Sequence, residues 1–427
     1  MRILLTGAGG FIGAQIAAAL RDAGHAVVRG VRAGYAAPAA GAVVCDFSTD
    51  VEPEVWLPRL AGIDAVVNCA GILREAHSGD FERVHVLAPL ALFRACERLG
   101  IRRVIQISAL GRPDDGEFIR SKHRCDERLA GLDLDWVVIR PSVVYSPRGS
   151  YGGTSLLRAM AALPGVMLLP GDGRQLLQPI CADDLGRAVV ALLGSEACRH
   201  TVLEALGPDR MSIGSFLEAL RTWLGLGRAL TVRVPLALVR PVALVGELLG
   251  RGPLGMTMYR MLQHGNVGAA GGVEAFAQAT GVQPRPVGRA LSAVPSAVQD
   301  RWHAQLYFLG PLLQFTLAVL WIGSGVVGFA TPMAEAAATV SALGVPAQAS
   351  PWLVYGVSAL DCLLGVMLLI GWQVPLAGIL MLISLLAYTL VIGSALPSAW
   401  LEPFGGLLKN LPLIPAVLVM LVLHRRR

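Results

Sequence analysis

Three glycines near the start of the chain have a spacing that suits the binding of a phosphorylated cofactor. Gly7 ends the short apolar run of residues 3–7, and Gly10 and Gly13 follow as a helical pattern begins at Phe11. The first glycine permits a tight turn, the second lets backbone N–H groups approach a pyrophosphate, and the third permits close helix–strand packing. Because the pattern follows a strand and opens a helix, it predicts a dinucleotide-binding turn that includes Phe11 and Ile12.

The choice between NAD(H) and NADP(H) depends on residues at the ends of the second, third and fourth strands. An NAD site usually has a carboxylate at the end of the second strand, where it holds the ribose hydroxyls. Residues 28–32 contain no carboxylate and end in Arg32, whose charge suits a 2′-phosphate, so NADP(H) is favoured over NAD(H). Asp46 follows the third strand and is a candidate acceptor for the adenine amine. The fourth strand is followed by three residues that are expected to run under the cofactor, Cys69, Ala70 and Gly71.

Apolar strands alternate with helical patterns through the first part of the chain. After the first strand and helix, strands are expected at 26–31, 65–68, 104–108 and 136–139, with helices at 81–99, 121–129, 182–193 and 212–224. Continuous apolar strands separated by helices indicate a parallel sheet covered on both faces. The predicted fold class is α/β, a Rossmann-type doubly wound sheet with a small substrate-side subdomain, followed by an all-α transmembrane bundle.

Changes in pattern divide the chain into four parts. A Rossmann core is expected at 1–150, its substrate-side part at 151–290, a linker at 291–305 and a membrane bundle at 306–427. The apolar stretch 234–250 contains Arg240, Pro241 and Glu247, and it reads as an amphipathic, membrane-apposed helix region rather than a span.

The last part of the chain is apolar enough to cross a bilayer. Residues 306–424 contain only four residues with charged side chains, Glu335, Asp361, Glu402 and Lys409. Four candidate spans approach the ~20 residues that a crossing needs, at about 306–328, 353–371, 374–396 and 407–424. Arg301 precedes the first span and Arg425 to Arg427 follow the last, so the positive-inside rule predicts both chain ends on the cytoplasmic side. The expected location is the bacterial inner membrane, as an integral protein.

Composition excludes several classes of protein. Seven cysteines are scattered without a C-x-x-C pair, which is typical of reduced cytosolic thiols and predicts neither a disulfide framework nor a metal site. The net charge is +6, and the only basic cluster is the three terminal arginines, so no nucleic-acid partner is expected. A strand pattern that begins at Ile3 predicts that no signal peptide is present.

In this order, the motifs resemble known families. The glycine turn, Asp46, residues 68–71, Ser108 and Arg140-Pro-Ser-Val-Val-Tyr145 together resemble the short-chain dehydrogenase/reductase superfamily in its extended or atypical branch, including relatives of the 39-kDa subunit of respiratory complex I. This resemblance covers residues 1–290 and implies that Pro141 and Val143 also contact the cofactor. Phe404-Gly-Gly-Leu-Leu-Lys-Asn-Leu-Pro412, with its spans, resembles the DoxX-like membrane family.

The superfamily's catalytic set is a serine, a tyrosine and a lysine, with the tyrosine four positions before the lysine on one helix. That spacing puts both side chains on one helix face, where the ammonium lowers the pKa of the phenol. Ser108 matches the serine and Lys122 the lysine, but the tyrosine position is Phe118, which cannot transfer a proton. The resemblance implies that Lys122 binds the nicotinamide ribose.

Three interpretations of this incomplete set remain open. Lys122 itself is the general acid, or His85, Tyr145 or His123 supplies the proton, or the domain binds NADP(H) without turnover. His85 lies near the start of the helix after the fourth strand. His123 adjoins Lys122 and therefore points off the catalytic face.

An acidic residue in the second span is a further candidate site. Asp361 lies near the middle of that span, where a charge facing lipid costs at least ~2.5 kcal/mol, so a partner inside the bundle is expected, with Lys409 or Asn410 as candidates. It is interpreted either as a proton or quinone-headgroup site or as a polar packing residue.

These observations predict an enzyme that passes hydride or electrons from NADP(H) to a small lipophilic or carbonyl acceptor, such as a quinone, at the cytoplasmic membrane face. One alternative is a non-catalytic NADP(H)-binding subunit or assembly factor of a membrane complex. Another gives the membrane bundle its own redox or transport role.

Overall fold

The computed structural model of the 427-residue chain describes residues 1–32, 41–248, 255–401 and 406–424. The chain divides into two compact units, Met1–Gln305 and Leu306–Arg427, and the division falls within the helix Val298–Ala330. Several residues used in the sequence analysis lie outside the described residues: residues 249 and 250 of the apolar stretch 234–250, Glu402, Phe404 and Gly405, and Arg425, Arg426 and Arg427.

Among the described residues, all strands belong to the first unit. In chain order they are β1 Arg2–Thr6, β2 Ala26–Val31, β3 Ala42–Val44, β4 Ala65–Asn68, β5 Arg103–Ile107, β6 Asp135–Pro141, β7 Val144–Tyr145, β8 Val166–Pro170, β9 Leu176–Leu177, β10 Ile180–Cys181, β11 Thr201–Ala205, β12 Met211–Ser212 and β13 Leu230–Val234.

A parallel sheet in the order β11-β6-β5-β4-β1-β2-β3 forms the centre of this unit. The chain builds outward from β1 through β2 and β3, then returns to place β4 on the other side of β1. The connections that leave the carboxyl ends of β1 and β4 therefore diverge, and they leave a crevice there for a ligand. The predicted Rossmann-type α/β fold is confirmed.

Helices of the first unit cover both faces of the sheet and the substrate side. They are α1 Phe11–Asp22, α2 Pro53–Trp56, α3 Asp80–Glu82, α4 Ala88–Leu99, α5 Glu117–Leu129, α6 Gly153–Ala162, α7 Ala182–Leu193, α8 Ile213–Trp223, α9 Leu236–Leu248, α10 Met256–His264, α11 Gly272–Thr280 and α12 Val287–Ser292, with 3-10 turns at Leu57–Leu60 and Pro113–Asp115 and a π-helical turn at Arg83–Leu87.

Two hydrophobic cores fill the space between the sheet and its helices. On one face, α1 and α7 pack on the strands through buried side chains such as Leu20 and Leu185. On the other face, α4 and α5 pack through side chains such as Phe93 and Leu129. Because the central strands are buried on both faces, they read as continuous apolar runs in the sequence.

The substrate side has its own core and extends further along the chain than expected. Val287, Ala290 and Leu291 of α12 join the core formed by β8, α6 and α8. Residue 298 already lies in the next helix, and Ala304 of that helix is buried against Ala162 and Leu224. The predicted linker at 291–305 is thus mostly helical. The one proline of this segment, Pro295, lies between α12 and the helix Val298–Ala330.

The second unit is helical. Its elements are residues 306–330 of α13 Val298–Ala330, α14 Met333–Ala342, α15 Ser350–Ile370, α16 Val374–Ala395, a 3-10 turn Pro397–Trp400 and α17 Asn410–His424. Small residues let these helices approach closely: a Cβ on Gly325 would lie 2.5 Å from the carbonyl oxygen of Ser358, and one on Gly365 would lie 2.8 Å from that of Ala318.

Within the described residues, three helices are long and apolar enough to cross a membrane: α13, α15 and α16. The predicted fourth span, 407–424, is represented by α17, whose 15 described residues begin only at Asn410. At 1.5 Å per residue, 15 residues rise about 22 Å, which is shorter than the ~30 Å hydrocarbon core of a bilayer.

Arg103 is a buried cation that ties the sheet to the end of α7. Its guanidinium donates to the carbonyl oxygens of Cys198 at 2.9 Å, Ser195 at 2.7 Å and Leu192. The neighbouring Arg102 is half exposed and pairs with the exposed Asp133 at 2.7 Å.

We expect Arg103→Leu to lower the free energy of unfolding by about 3 kcal/mol, because several buried carbonyls lose a charged donor. Arg102→Leu is the matched control and should cost less than about 1 kcal/mol, since exposed ion pairs contribute little. Denaturant unfolding of the detergent-solubilised chain, followed by tryptophan fluorescence, measures both. Equal losses for the two variants would contradict the structural role of Arg103.

Candidate functional site

The turn between β1 and α1 has the close contacts that its glycines permit. Gly7 has φ +66°, and a Cβ on it would lie 2.7 Å from the backbone of Cys69. A Cβ on Gly13 would lie 2.2 Å from the carbonyl oxygen of Gly7. Gly10 donates its N–H to the same carbonyl at 2.9 Å. These distances leave no space for a side chain at positions 7 and 13.

The N-terminus of α1 offers free donors to an anion. Gly10 is the N-cap, and no side chain caps this helix end. Gly9 and Gly10 are exposed, while Phe11 and Ile12 pack against the core below. Unpaired N–H groups at an open helix N-terminus suit a pyrophosphate, so the turn fits a dinucleotide.

A buried ladder of polar side chains links the carboxyl ends of three neighbouring strands. Thr6 donates its hydroxyl to Asn68 at 2.5 Å, and the Asn68 amide donates to Gln106 at 2.7 Å. The oxygen of the Asn68 side chain also accepts from the N–H of Ala70 at 3.1 Å. These bonds fix the path of residues 69–71 beside the glycine turn, where Gly71 is exposed.

Lys122 on α5 places a buried ammonium at this edge of the sheet. Nζ donates to the carbonyl oxygens of Ala70 at 2.9 Å and Ile107 at 3.3 Å. A Cβ on Gly71 would lie 3.0 Å from Nζ. Burial lowers the pKa of Lys122, although Cys125 and Asp126 oppose this effect. Two bonds leave one of the three ammonium N–H groups for a ligand beside Gly71.

Ser108 is held by a carboxylate. Its hydroxyl donates to Asp126 at 2.8 Å, and Arg140 donates to the same carboxylate oxygen at 3.0 Å. Burial raises the pKa of Asp126, and the bonds from Ser108 and Arg140 partly offset this. With its proton directed to Asp126, the Ser108 hydroxyl presents lone pairs to any further partner.

His85 lies in the π-helical turn Arg83–Leu87 and is fully buried. Nε2 accepts from the N–H of Ile72 at 3.0 Å, so this nitrogen carries no proton and Nδ1–H donates to Ser121 at 2.8 Å. Burial and the Lys122 charge hold the pKa of His85 well below 6.5. Both ring nitrogens are engaged, and the bond from Ile72 ties His85 to the loop of residues 71–72, while its expected catalytic role stays a prediction.

Phe118, at the position where the superfamily has tyrosine, belongs to an aromatic cluster. Its ring centroid lies 5.5 Å from that of His85 and 6.3 Å from that of Phe81, both edge to face. The ring fills the space between α5 and the π-helical turn with carbon, and it offers no proton to the site.

The other two candidate proton donors are also engaged or buried. His123 Nε2 lies 3.0 Å from the carbonyl oxygen of Ala109. Tyr145 is 2% exposed, and burial raises the pKa of its phenol.

Arg32 and Asp46 lie at the ends of neighbouring strands, where an adenosine is expected. Arg32 is exposed at the end of β2. Asp46 accepts from the N–H and the hydroxyl of Ser48, and these bonds, together with the Arg32 charge, lower its pKa. The Ser48 bonds use one carboxylate oxygen, Oδ1. The other accepts from none of the described side chains.

Asn266 is a residue of the substrate side that the sequence analysis missed. Its side chain accepts from the N–H of Val143 at 3.0 Å and donates to the carbonyl oxygen of Leu110 at 3.2 Å. Leu110 in turn donates its N–H to Pro141 at 2.9 Å. Asn266 therefore clamps together the loops after β5 and β6, and no local motif marks it.

In the second unit, Asp361 is buried and bonded within the bundle. The hydroxyl of Ser324 on α13 donates to it at 3.0 Å, and Tyr388 on α16 is a further polar neighbour. Asn410 instead donates to Thr389 at 3.0 Å, and Lys409 is exposed. The expected pairing of Asp361 with Lys409 or Asn410 is therefore wrong, because helix packing brings α13 to it. Among the described residues, no group of three or more His, Cys, Asp or Glu side chains could hold a metal ion.

Comparison with known families identifies both units. Residues 7–158 match a family model described as NAD(P)H-binding, and residues 318–418 match the DoxX-like family. The chain therefore joins an NAD(P)H-binding domain to a DoxX-like domain, as both resemblances predicted. With its three long apolar helices, it is a membrane-associated protein.

Individual relatives resemble the first unit. A 3-diazoavenalumate denitrifying reductase from Streptomyces sp is 27% identical over 282 residues, which cover 58% of this chain and 88% of the relative. The photosystem II assembly factor Ycf39 from Synechocystis sp. is 29% identical over 150 residues, which cover 33% of this chain and 44% of the relative. The crystal structure of the human epimerase family protein SDR39U1 with NADPH has a TM-score of 0.51 at 22% identity, covering 69% of this chain and 99% of that one. This likeness shows the fold.

We expect Gly13→Ala to weaken NADPH binding about ten-fold or more, because its Cβ would push the first turn of α1 away from Gly7. Gly9→Ala is the matched control, since nothing lies within 4 Å of a Cβ at that position. Titration of NADPH fluorescence with the purified full-length chain measures both affinities. A Gly13 variant that binds like the native chain would show that the turn does not hold the cofactor.

The buried His85 gives stability a pH dependence. Its pKa lies below 6.5 in the folded chain, so the unfolded chain binds more protons once the pH falls below that value. The native chain should therefore lose stability on acidification from about pH 7 to about pH 5, and His85→Gln should lose less. Denaturant unfolding across this range tests it, with the same substitution at exposed His77 as control. Parallel profiles for the native chain and the His85 variant would contradict a neutral His85.

Proposed function

From a chain that joins an NAD(P)H-binding domain to a DoxX-like membrane domain, we propose a membrane-anchored oxidoreductase. It passes a hydride from NADP(H) to a lipophilic acceptor such as a quinone, at the cytoplasmic face of a bacterial inner membrane. The observation that carries the proposal is the buried Lys122 ammonium, with one N–H left beside Gly71.

The site fits a dinucleotide by its shape and by its donors. The Gly7–Gly13 turn is a cradle that a Cβ at either end would fill, and the open N-terminus of α1 suits the pyrophosphate. Lys122 would bind the nicotinamide ribose through its remaining N–H. When bound, the reduced cofactor supplies a hydride, and a quinone acceptor becomes a quinol on taking that hydride and one proton.

Lys122 is the group best placed to provide that proton. Its lowered pKa makes the ammonium a stronger acid than an exposed lysine. The Ala70 and Ile107 carbonyls hold Nζ in place whether or not it has given up a proton. Because the Ser108 hydroxyl donates its proton to Asp126, it is left to accept from a ligand and therefore suits a hydroxyl on the ligand. The 27% identity to a reductase supports reductive chemistry in this unit.

The choice of NADP(H) over NAD(H) is based on the residues at the end of β2. Arg32 is exposed and positive, and residues 28–32 contain no carboxylate to hold free ribose hydroxyls. The matched family is described as NAD(P)H-binding and does not choose between the two cofactors. We therefore propose NADP(H) on the charge of Arg32.

The lipophilic acceptor is proposed from the second unit. Its helices give the chain a permanent place in the bilayer, where quinones dissolve. Asp361, with Ser324 and Tyr388 around it, is proposed as a proton or headgroup site within that unit, because a buried carboxylate among apolar helices is costly unless it has a role.

A second candidate function is a non-catalytic NADP(H)-binding subunit or assembly factor of a membrane complex. Phe118 removes the proton donor of the superfamily, and the 29% identity to a photosystem II assembly factor over 150 residues supports this class. Turnover distinguishes the two candidates.

Lys122→Met should reduce quinone-dependent NADPH oxidation by at least about 100-fold, because it removes both the ribose donor and the general acid. Lys409→Met is the matched control, since these are the two lysines of the chain and Lys409 is exposed. The absorbance of the reduced nicotinamide follows the reaction. Lys122→Arg should keep cofactor affinity and lose most turnover, because a guanidinium does not give up its proton.

Native turnover that survives in Lys122→Met would remove Lys122 from the mechanism. Tight NADPH binding by the native chain, without oxidation by any quinone or carbonyl tested, would favour the binding subunit instead.

A further inference from the structure

The helix α9 exposes an apolar face in the first unit. Leu238 is 62% exposed and Val242 is 58% exposed, one helical turn apart. The opposite face of α9 is the one that packs on the protein, where Ala243 is fully buried. Exposed apolar side chains that lie together on one face of a helix mark a candidate surface for binding a membrane or a protein.

The charges around this face are positive. Arg233 at the end of β13 and Arg240 on α9 are both exposed, and neither has an ion-pair partner among the described residues. Residues 226–246 contain no aspartate or glutamate, and the one carboxylate of α9 is Glu247, in its last turn. An exposed apolar face flanked by unpaired arginines matches the interface of a bilayer that contains anionic lipids.

Two features favour a bilayer as the binding partner of the exposed face of α9. The chain carries its own apolar helices, α13, α15 and α16, so a membrane is always close to the first unit. Pro241 interrupts α9 and lacks an N–H group, so the carbonyl of Ala237 loses its helical partner and needs water or headgroups nearby. An interfacial position satisfies this carbonyl, while the hydrocarbon core does not.

We propose that the exposed face of α9, formed by Leu238, Pro241 and Val242, docks on the anionic surface of the membrane. Arg233 and Arg240 hold it there by contact with lipid phosphates. The N-terminal unit is then bound to the bilayer at a second place, beyond its covalent link to the spanning helices. Docking of α9 on the membrane does not depend on the proposed hydride transfer.

Docking would also place the cofactor site near the bilayer. Arg74, three residues after Gly71, donates to the carbonyl oxygen of Gly246 on α9 at 2.8 Å. The loop that runs under the cofactor is thus bonded directly to the docking helix. A lipophilic molecule that leaves the membrane beside α9 would meet this loop first.

Nitroxide accessibility in the full-length chain tests the docking. A spin label on Val242→Cys is compared with one on Leu99→Cys, which is 48% exposed at the end of α4, and with one on Leu390→Cys, which is 69% exposed on α16. The native chain treated with the same reagent is the blank. The chains are reconstituted in phosphatidylcholine vesicles with and without phosphatidylglycerol, and collisions with oxygen and with a water-soluble nickel complex are measured.

In vesicles with phosphatidylglycerol, the Val242 label should collide with oxygen as the Leu390 label does and be shielded from nickel several-fold more than the Leu99 label. Arg233→Gln with Arg240→Gln should return the Val242 label toward the Leu99 values. A Val242 label as open to nickel as the Leu99 label would overturn the proposal. So would a label shielded from both reagents, because protein rather than lipid would then cover the face.

Discussion

A positive charge buried at the carboxyl edge of a parallel sheet is the constraint on which the cofactor domain depends. An ammonium removed from water needs acceptors at fixed positions, and Lys122 finds them in the carbonyls of Ala70 and Ile107, at the ends of β4 and β5. The buried ladder of Thr6, Asn68 and Gln106 joins the ends of the strands that carry those carbonyls. The one remaining N–H then faces the space beside Gly71.

The neighbouring features follow from keeping that space open. Gly71 cannot carry a side chain without contacting Nζ, and the Gly7–Gly13 turn must approach residues 69–70 with no Cβ between them. Burial, together with the nearby Lys122 charge, lowers the pKa of His85 and keeps the ring neutral, and in that state it can accept from Ile72 and hold the loop. Phe118 occupies the position where the superfamily has tyrosine, and its ring keeps the helix packed there by contact with Phe81 and His85. In the proposed reaction, cofactor binding and proton supply both depend on the Lys122 side chain.

Much of the fold was predictable from local pattern. Strand β4 and helix α7 have the predicted bounds, since apolar periodicity and turn residues mark them directly. The roles of Asn266 and Arg103 were not predictable, because their partners lie far away in sequence and only the folded chain brings them together. The same reason explains Asp361: its position in a span was clear, but the helix that faces it depends on close packing at Gly325 and Gly365. Likewise, the engagement of both nitrogens of His85 follows from a π-helical turn that no sequence pattern marked.

The central claim is that a hydride leaves the bound nicotinamide for a lipophilic acceptor. The most direct test is an anaerobic single turnover, in which the full-length chain in vesicles is loaded with NADPH and mixed with a membrane-soluble quinone. The loss of NADPH and the formation of quinol are followed together. The account predicts one quinol formed for each NADPH consumed, at a rate that does not depend on oxygen. Bound NADPH that stays reduced, with no quinol formed, would contradict it and leave the chain as a cofactor-binding module.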